Sequence, residues 1–142
     1  MKKIFLIIVL FSLNNIYSQV TNSFVINSLP NISGTNTLAV TEPICLGNSG
    51  TVTFTSSALA NGSYNVSFTL SGANTGTQTA SSVNFTSGVG TFTIPASALA
   101  SAGTTSINLT SIVNTSTSCL RTIPSGTITD SFVVSILPNI SG

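Results

Sequence analysis

Very few side chains in this sequence could do acid–base or covalent chemistry. The 142 residues include three basic residues, two acidic residues, two cysteines and no histidine. The cysteines are Cys45 and Cys119, and the acids are Glu42 and Asp130. Catalytic and metal-binding cysteines ordinarily come with a nearby histidine or with further cysteines. The cysteine pair is therefore expected to be structural.

A disulfide between Cys45 and Cys119 is the interpretation that we favour. An even number of cysteines is typical of disulfide-bonded exported proteins, and the leader described below predicts export. Free thiols and pairing between chains are the alternatives. Closing a loop of 75 residues stabilises the folded state by roughly 4.5 kcal/mol in the chain-entropy treatment, less any strain. Cys45 precedes the strand TVTFT and Cys119 follows SINLTSI, so we expect the bridge to pin the first strand or its turn to the start of the last strand.

Catalysis is not expected. Serine and threonine hydroxyls are abundant, but they need a base to activate them. Glu42 and Asp130 lie 88 positions apart, and isolated acids in a β-protein are more often solvated charges at turns or edges than a catalytic pair. Two distant acids make a poor calcium site, and Arg121 alone cannot neutralise a phosphate backbone. We expect no enzyme activity, cofactor, metal or nucleic-acid partner.

Residues 1–18 have the form of a secretory signal peptide. Two lysines precede an apolar run over residues 4–13, and a polar stretch ends at Ser18, before Gln19, which marks the predicted cleavage point. Ten apolar residues are too few for a transmembrane helix, which needs about 20. We therefore expect an exported protein without a transmembrane segment, whose 124 mature residues carry a formal net charge of −1.

Alternation of apolar and polar residues predicts an all-β fold. Ser, Thr, Asn and Gly supply 67 of the 124 mature residues, but disordered tracts do not alternate in this way. In SYNVSFTL, for example, Tyr64, Val66 and Phe68 share one face of a strand. Similar runs are TVTFT, SVNFT, GTFTI, SINLT and TITDSFVVSI, and turn sequences such as SGANTG and TSGVG separate them.

Seven or eight short strands within about 105 residues predict an immunoglobulin-like antiparallel two-sheet sandwich over residues 29–137. A closed barrel is the alternative. All seven mature aromatic residues lie on apolar alternations and are expected in the core: Phe24, Phe54, Tyr64, Phe68, Phe85, Phe92 and Phe132. A glycan-binding module, which usually needs an exposed aromatic platform, is therefore a secondary hypothesis.

One phrase of this sequence occurs twice. Residues 23–34 read SFVINSLPNISG and residues 131–142 read SFVVSILPNISG, identical at nine of twelve positions at an offset of 108 residues. A repeat spaced by the length of a domain indicates a tandem array, and the proline ends a strand because it cannot donate to the ladder. We interpret residues 19–28 as a lead strand or joint and residues 138–142 as a joint toward a following repeat. Exchange of terminal strands between copies is an alternative.

The sequence also resembles a known group of proteins. The segments that carry the likeness are the Cys-x-Gly before TVTFT, NGSYNVSFTLSGANT, GTFTIPASALASAGTT and the second cysteine before the last strand. Together they resemble the immunoglobulin-like repeats of very large cell-surface proteins of Bacteroidetes. The resemblance implies an exported adhesin or stalk built from repeats, often exported by the type IX secretion route, whose partners are neighbouring repeats and surface glycans or other cells.

Overall fold

The structure is a computed structural model that describes residues 23–137. The predicted leader, its cleavage point at Ser18 and Gln19, and the joint predicted over residues 138–142 lie outside the described residues. The strands are β1 (Asn36–Val40), β2 (Ile44–Cys45), β3 (Gly50–Ser56), β4 (Gly62–Gly72), β5 (Gly76–Thr86), β6 (Val89–Ile94), β7 (Gly103–Asn114), β8 (Leu120–Thr122) and β9 (Thr129–Ser135), with one turn of 3-10 helix at Ala96–Ala98. The all-β prediction is confirmed.

The strands form one curled, mixed sheet in the order β1-β3-β6-β5-β4-β7-β9-β2, with β8 paired to β7. All neighbours are antiparallel except β2 and β9, which run parallel. The β5–β6 ladder contains only two residue pairs, Phe85 with Gly90 and Thr86 with Val89. The sheet curls there, so that the Phe68 ring on β4 meets the Phe92 ring on β6 at a centroid distance of 5.4 Å.

The core is built from the apolar face of each strand. In β4, every second residue from Tyr64 to Leu70 is buried while the intervening polar residues are partly exposed, as expected for a strand with one face on the core. The Phe85 ring packs edge-on against Phe54 and Tyr64, at centroid distances of 5.7 and 5.5 Å. Six of the seven aromatic residues expected in the core are buried there, whereas Phe24 is 79% exposed.

The tightest turn is the hairpin between β5 and β6. Ser87 and Gly88 both have positive φ, 50° and 77°, which is the geometry that matches the twist of the flanking strands in a two-residue hairpin loop. The Asn61 side chain accepts a 2.7 Å hydrogen bond from the Ser87 amide. A β-carbon on Gly88 would lie 2.1 Å from the Ser56 carbonyl oxygen, so no larger residue fits there without displacing β3.

Replacing Ser87 by asparagine should stabilise the protein. Asparagine tolerates positive φ better than serine, so Ser87→Asn is expected to raise the free energy of unfolding by about 0.5 kcal/mol in urea titrations. Gly88→Ala is the matched change in the same turn and should lower it by more than about 1 kcal/mol, because it adds strain and a backbone clash. Equal effects of the two changes would contradict this account of the hairpin.

Candidate functional site

Both acidic residues join the beginning of the folded chain to its last strand. Asp130 on β9 accepts a 2.7 Å hydrogen bond through Oδ2 from the backbone amide of Val40 on β1. Glu42, which follows β1, accepts a 2.6 Å hydrogen bond through Oε1 from the Val133 amide on β9. Immediately beyond, Ile44 begins the parallel pairing of β2 with β9. We call this line of contacts the carboxylate seam.

The seam explains what the acids do. Each carboxylate is engaged by a backbone amide of the opposing segment, and hydrogen bonds to an ionised acceptor are roughly twice as strong as neutral ones. Asp130 is half-buried and Glu42 is exposed, so only Glu42 retains the solvated character expected of both. A catalytic carboxylate pair would face a shared substrate or water. Among residues 23–137 there is also no cluster of three or more potential metal ligands.

Cys45 and Cys119 are free thiols in the structure, and both are half-buried. Cys45 is the register partner of Ser135 at the end of β9. The residue before Ser135, Val134, pairs with Gly103, where β7 begins. Cys45 therefore lies at the end of the sheet where β7 starts.

Cys119 lies at the other end of β7. Its carbonyl oxygen accepts a 3.1 Å hydrogen bond from the amide of Asn114, the last residue of that strand. A 12-residue strand spans about 35 to 40 Å, whereas the Cα atoms of a disulfide lie within about 7 Å of each other. The predicted bridge between Cys45 and Cys119 of one chain is therefore absent from the structure and incompatible with this fold.

The two copies of the repeated phrase have opposite environments. In the second copy, Phe132 and Val134 belong to β9 and are each 1% exposed. The matching residues of the first copy, Phe24 and Ile26, are 79% and 83% exposed. No strand forms over residues 23–35, so the lead strand expected within residues 19–28 is not seen in its described part. The prediction that Phe24 lies in the core is therefore wrong. The first copy has the side chains of a core strand, but it has no neighbouring strand with which to pair.

The first copy lies against the end of the sheet where β7 finishes. Its residues 27–31 form a small cleft with Ala60, Tyr64, Asn114 and Thr117, and its proline, Pro30, is buried. The Cys119 thiol contacts the Asn27 carbonyl oxygen at 3.7 Å. The second copy leaves at the opposite end, beside Cys45. The chain thus enters the fold at one end of β7 and reaches the other end at Ser135.

An open groove lies between β5 and β6, where the two strands diverge. Its volume is about 630 Å³, and hydroxyl and amide side chains supply most of its lining. Phe92 is the aromatic residue in the lining, and only 5% of it is exposed. Glycan-binding modules usually stack a sugar ring on an exposed aromatic side chain. This groove offers no such aromatic face.

One buried amide was not anticipated from the sequence. Asn74 is 4% exposed and donates to the Ser101 carbonyl at 2.9 Å and to the Thr105 hydroxyl at 2.8 Å. Its own oxygen accepts from the Ser101 amide at 2.9 Å. Asn74 thereby ties the β4–β5 loop to the loop before β7. In the sequence it is one polar residue of the turn SGANTG, with no signal that separates it from its neighbours.

The chain matches no protein-family model, no curated protein and no solved structure. Its function must therefore be inferred from geometry. Among residues 23–137, no helix is long and apolar enough to cross a membrane.

Removing the Asp130 carboxylate should open the seam. Asp130→Ala leaves the Val40 amide without its charged acceptor, and the free energy of unfolding should fall by about 1.5 to 3 kcal/mol. Glu42→Ala should cost less than about 1 kcal/mol, because that carboxylate is exposed. Urea unfolding measures both, with Thr129→Ala, an exposed neighbour on β9, as the control. A loss at Asp130 no larger than at Thr129 would contradict a stabilising seam.

Proposed function

We propose that this chain is a non-enzymatic extracellular module, with a structural or adhesive role in a cell-surface protein built from tandem repeats. The observation that carries the proposal is the position of the repeated phrase. Its first copy lies at the end of β7 marked by Asn114, and its second copy reaches the end marked by Gly103. A module entered at one end and left at the other can be stacked into a linear array.

An immunoglobulin-like arrangement is the finer fold that we propose. The strands β1, β3 and β6 make one group, and β5, β4, β7 and β9 make another. The two groups join through only two residue pairs. The first segment serves both, since β1 pairs with β3 and β2 pairs with β9. Such a switch of the first strand between layers suits a two-sheet sandwich better than a regular closed barrel.

The chemistry of the surface agrees with a spacing or contact role. The two acids are occupied by backbone amides, and the sequence contains no histidine that could activate a hydroxyl. Polar uncharged side chains cover the outward face of β4 and much of β5. Weak contacts made by such a surface gain strength when many copies act together. The export predicted by the leader supports a role outside the cell.

Solution scattering tests the array. The full chain can be extended after Gly142 by one or two further copies of residues 35–142, so that residues 131–142 serve as the joint. Each added copy should lengthen the particle by a constant increment of about 35 to 40 Å, the span of β7. Asp130→Ala, which weakens the carboxylate seam, should not alter this increment as long as the protein stays folded. A maximum dimension that hardly grows with copy number would overturn the proposal.

A second candidate function is assembly by strand exchange, which the exposed first copy favours. Phe24 and Ile26 reproduce the alternation that Phe132 and Val134 bury in β9. A strand of one chain could therefore take the β9 position in another, through main-chain hydrogen bonds and the same core pockets. Chains linked head to tail in this way form open polymers.

Strand exchange predicts polymers that depend on the first copy. Sedimentation of the full-length protein should detect association that increases with concentration and is lost in the double variant Phe24→Ser with Ile26→Ser. Because both side chains are exposed, this variant should unfold within about 0.5 kcal/mol of the parent. Phe132→Ser, its counterpart in β9, should instead prevent folding. A full-length protein that stays monomeric at its highest soluble concentration would rule the candidate out.

A further inference from the structure

The two free cysteines occupy equivalent places beside the two copies of the repeated phrase. At the offset of 108 residues, Asn27 of the first copy corresponds to Ser135 of the second. Cys119 contacts the backbone of Asn27, and Cys45 is the register partner of Ser135. Each thiol thus flanks the same position of the phrase, although one lies at each end of the sheet.

Superposing the two copies brings the cysteines together. In an array, residues 131–142 of one repeat also act as residues 23–34 of the next. The Ser135 carbonyl of the first repeat would then receive two contacts. One is the Leu46 amide of its own repeat, at 2.8 Å, and the other is the Cys119 thiol of the following repeat, at the 3.7 Å seen for Asn27.

A single carbonyl oxygen can take both contacts because it has two lone pairs. The distance between the Cys119 sulfur and the Leu46 amide nitrogen could then not exceed the sum of these two contact distances. Cys45 directly precedes Leu46. Cys119 of one repeat is therefore brought to the neighbourhood of Cys45 of the repeat before it, whereas inside one repeat the length of β7 separates the two cysteines.

We propose that Cys45 of one repeat and Cys119 of the next form a disulfide that locks the junction between consecutive repeats. The inference rests on the proposed tandem array and adds a partner, a second copy of the repeat, and a covalent bond. The two thiols lose two protons and two electrons when the sulfur–sulfur bond forms. A small-molecule disulfide such as oxidised glutathione accepts them and is itself reduced to two thiols.

The bond would also explain why the thiols are half-buried rather than in the core. A cysteine that must pair with a neighbouring repeat has to lie at an end of its own sheet. Cys45 and Cys119 meet this requirement at opposite ends. Because each repeat contributes one cysteine to each junction, the pairing extends along an array without leaving an unpaired thiol between two repeats.

The test uses a two-repeat protein, the full chain extended after Gly142 by residues 35–142. It contains four cysteines, and each of three variants keeps only two, with serine at the other positions. The junction variant keeps Cys45 of the first repeat and Cys119 of the second. The outer variant keeps Cys119 of the first and Cys45 of the second, and the third variant keeps both cysteines of the first repeat. Each is exposed to oxidised glutathione, and disulfides are identified by peptide mapping without reductant.

The junction variant should form its intramolecular disulfide at least about tenfold faster than either control, because only its thiols are held at high effective concentration. Equal rates in the three variants, or a junction pair that stays reduced, would overturn the inference. Scattering of the reduced protein separates this failure from that of the array. A two-repeat particle of the expected length that forms no junction disulfide would contradict the proposed disulfide alone. A compact particle would contradict the proposed tandem array as well.

Discussion

The fold depends on closing the gap between its first and last strands. The segment from Asn36 to Cys45 must pair with β3 at one edge and with β9 at the other. Between these two ladders the chain crosses from one edge to the other, and a backbone amide on each side of the crossing is bound by a side-chain carboxylate. Asp130 on β9 accepts from the Val40 amide at the end of β1, and Glu42 in the crossing accepts from the Val133 amide on β9. Both acidic residues of this sequence thus stabilise the contact between the first segment and β9.

Elsewhere in the fold, asparagine side chains rather than charged ones accept hydrogen bonds from backbone amides. An asparagine side chain is neutral, short and able to accept a backbone amide hydrogen bond in a turn. Six side-chain oxygens accept turn, loop or bulge amides in this way: Asn31 from Ser33, Asn61 from Ser87, Asn65 from Ser82, Asn74 from Ser101, Asn108 from Gly126, and Asn114 from Ser116. Ser82 and Ser87 have positive φ, so these bonds stabilise backbone conformations that serine rarely adopts. The asparagine-rich composition therefore has a structural role in these turns and loops.

Local alternation made the strands and most of the core predictable, because burial alternates with the pleat of each strand. It failed for Phe24, since the first copy has nearly the same side chains as β9 and differs only in lacking neighbouring strands. Long-range relations were equally inaccessible. The seam contacts join residues about 90 positions apart, and the ends of the sheet at which Cys45 and Cys119 lie depend on the folded strand order. Asn74 was missed for the same reason, because its partners lie 27 and 31 residues away.

In the tandem array that we propose, the repeated phrase is one segment that must satisfy two surroundings. Its first half needs large apolar side chains at alternate positions, as Phe132 and Val134 provide for the core. Its second half must leave that strand and fit the small cleft beside Tyr64 and Asn114, where Pro30 is buried. The three differing positions, 26–28 and 134–136, lie where the first role ends and the second begins. If every junction repeats the same two sets of contacts, the residues on both sides of that point must be the same in each copy. Each copy then has to fill the core of the preceding repeat and the cleft of the following repeat.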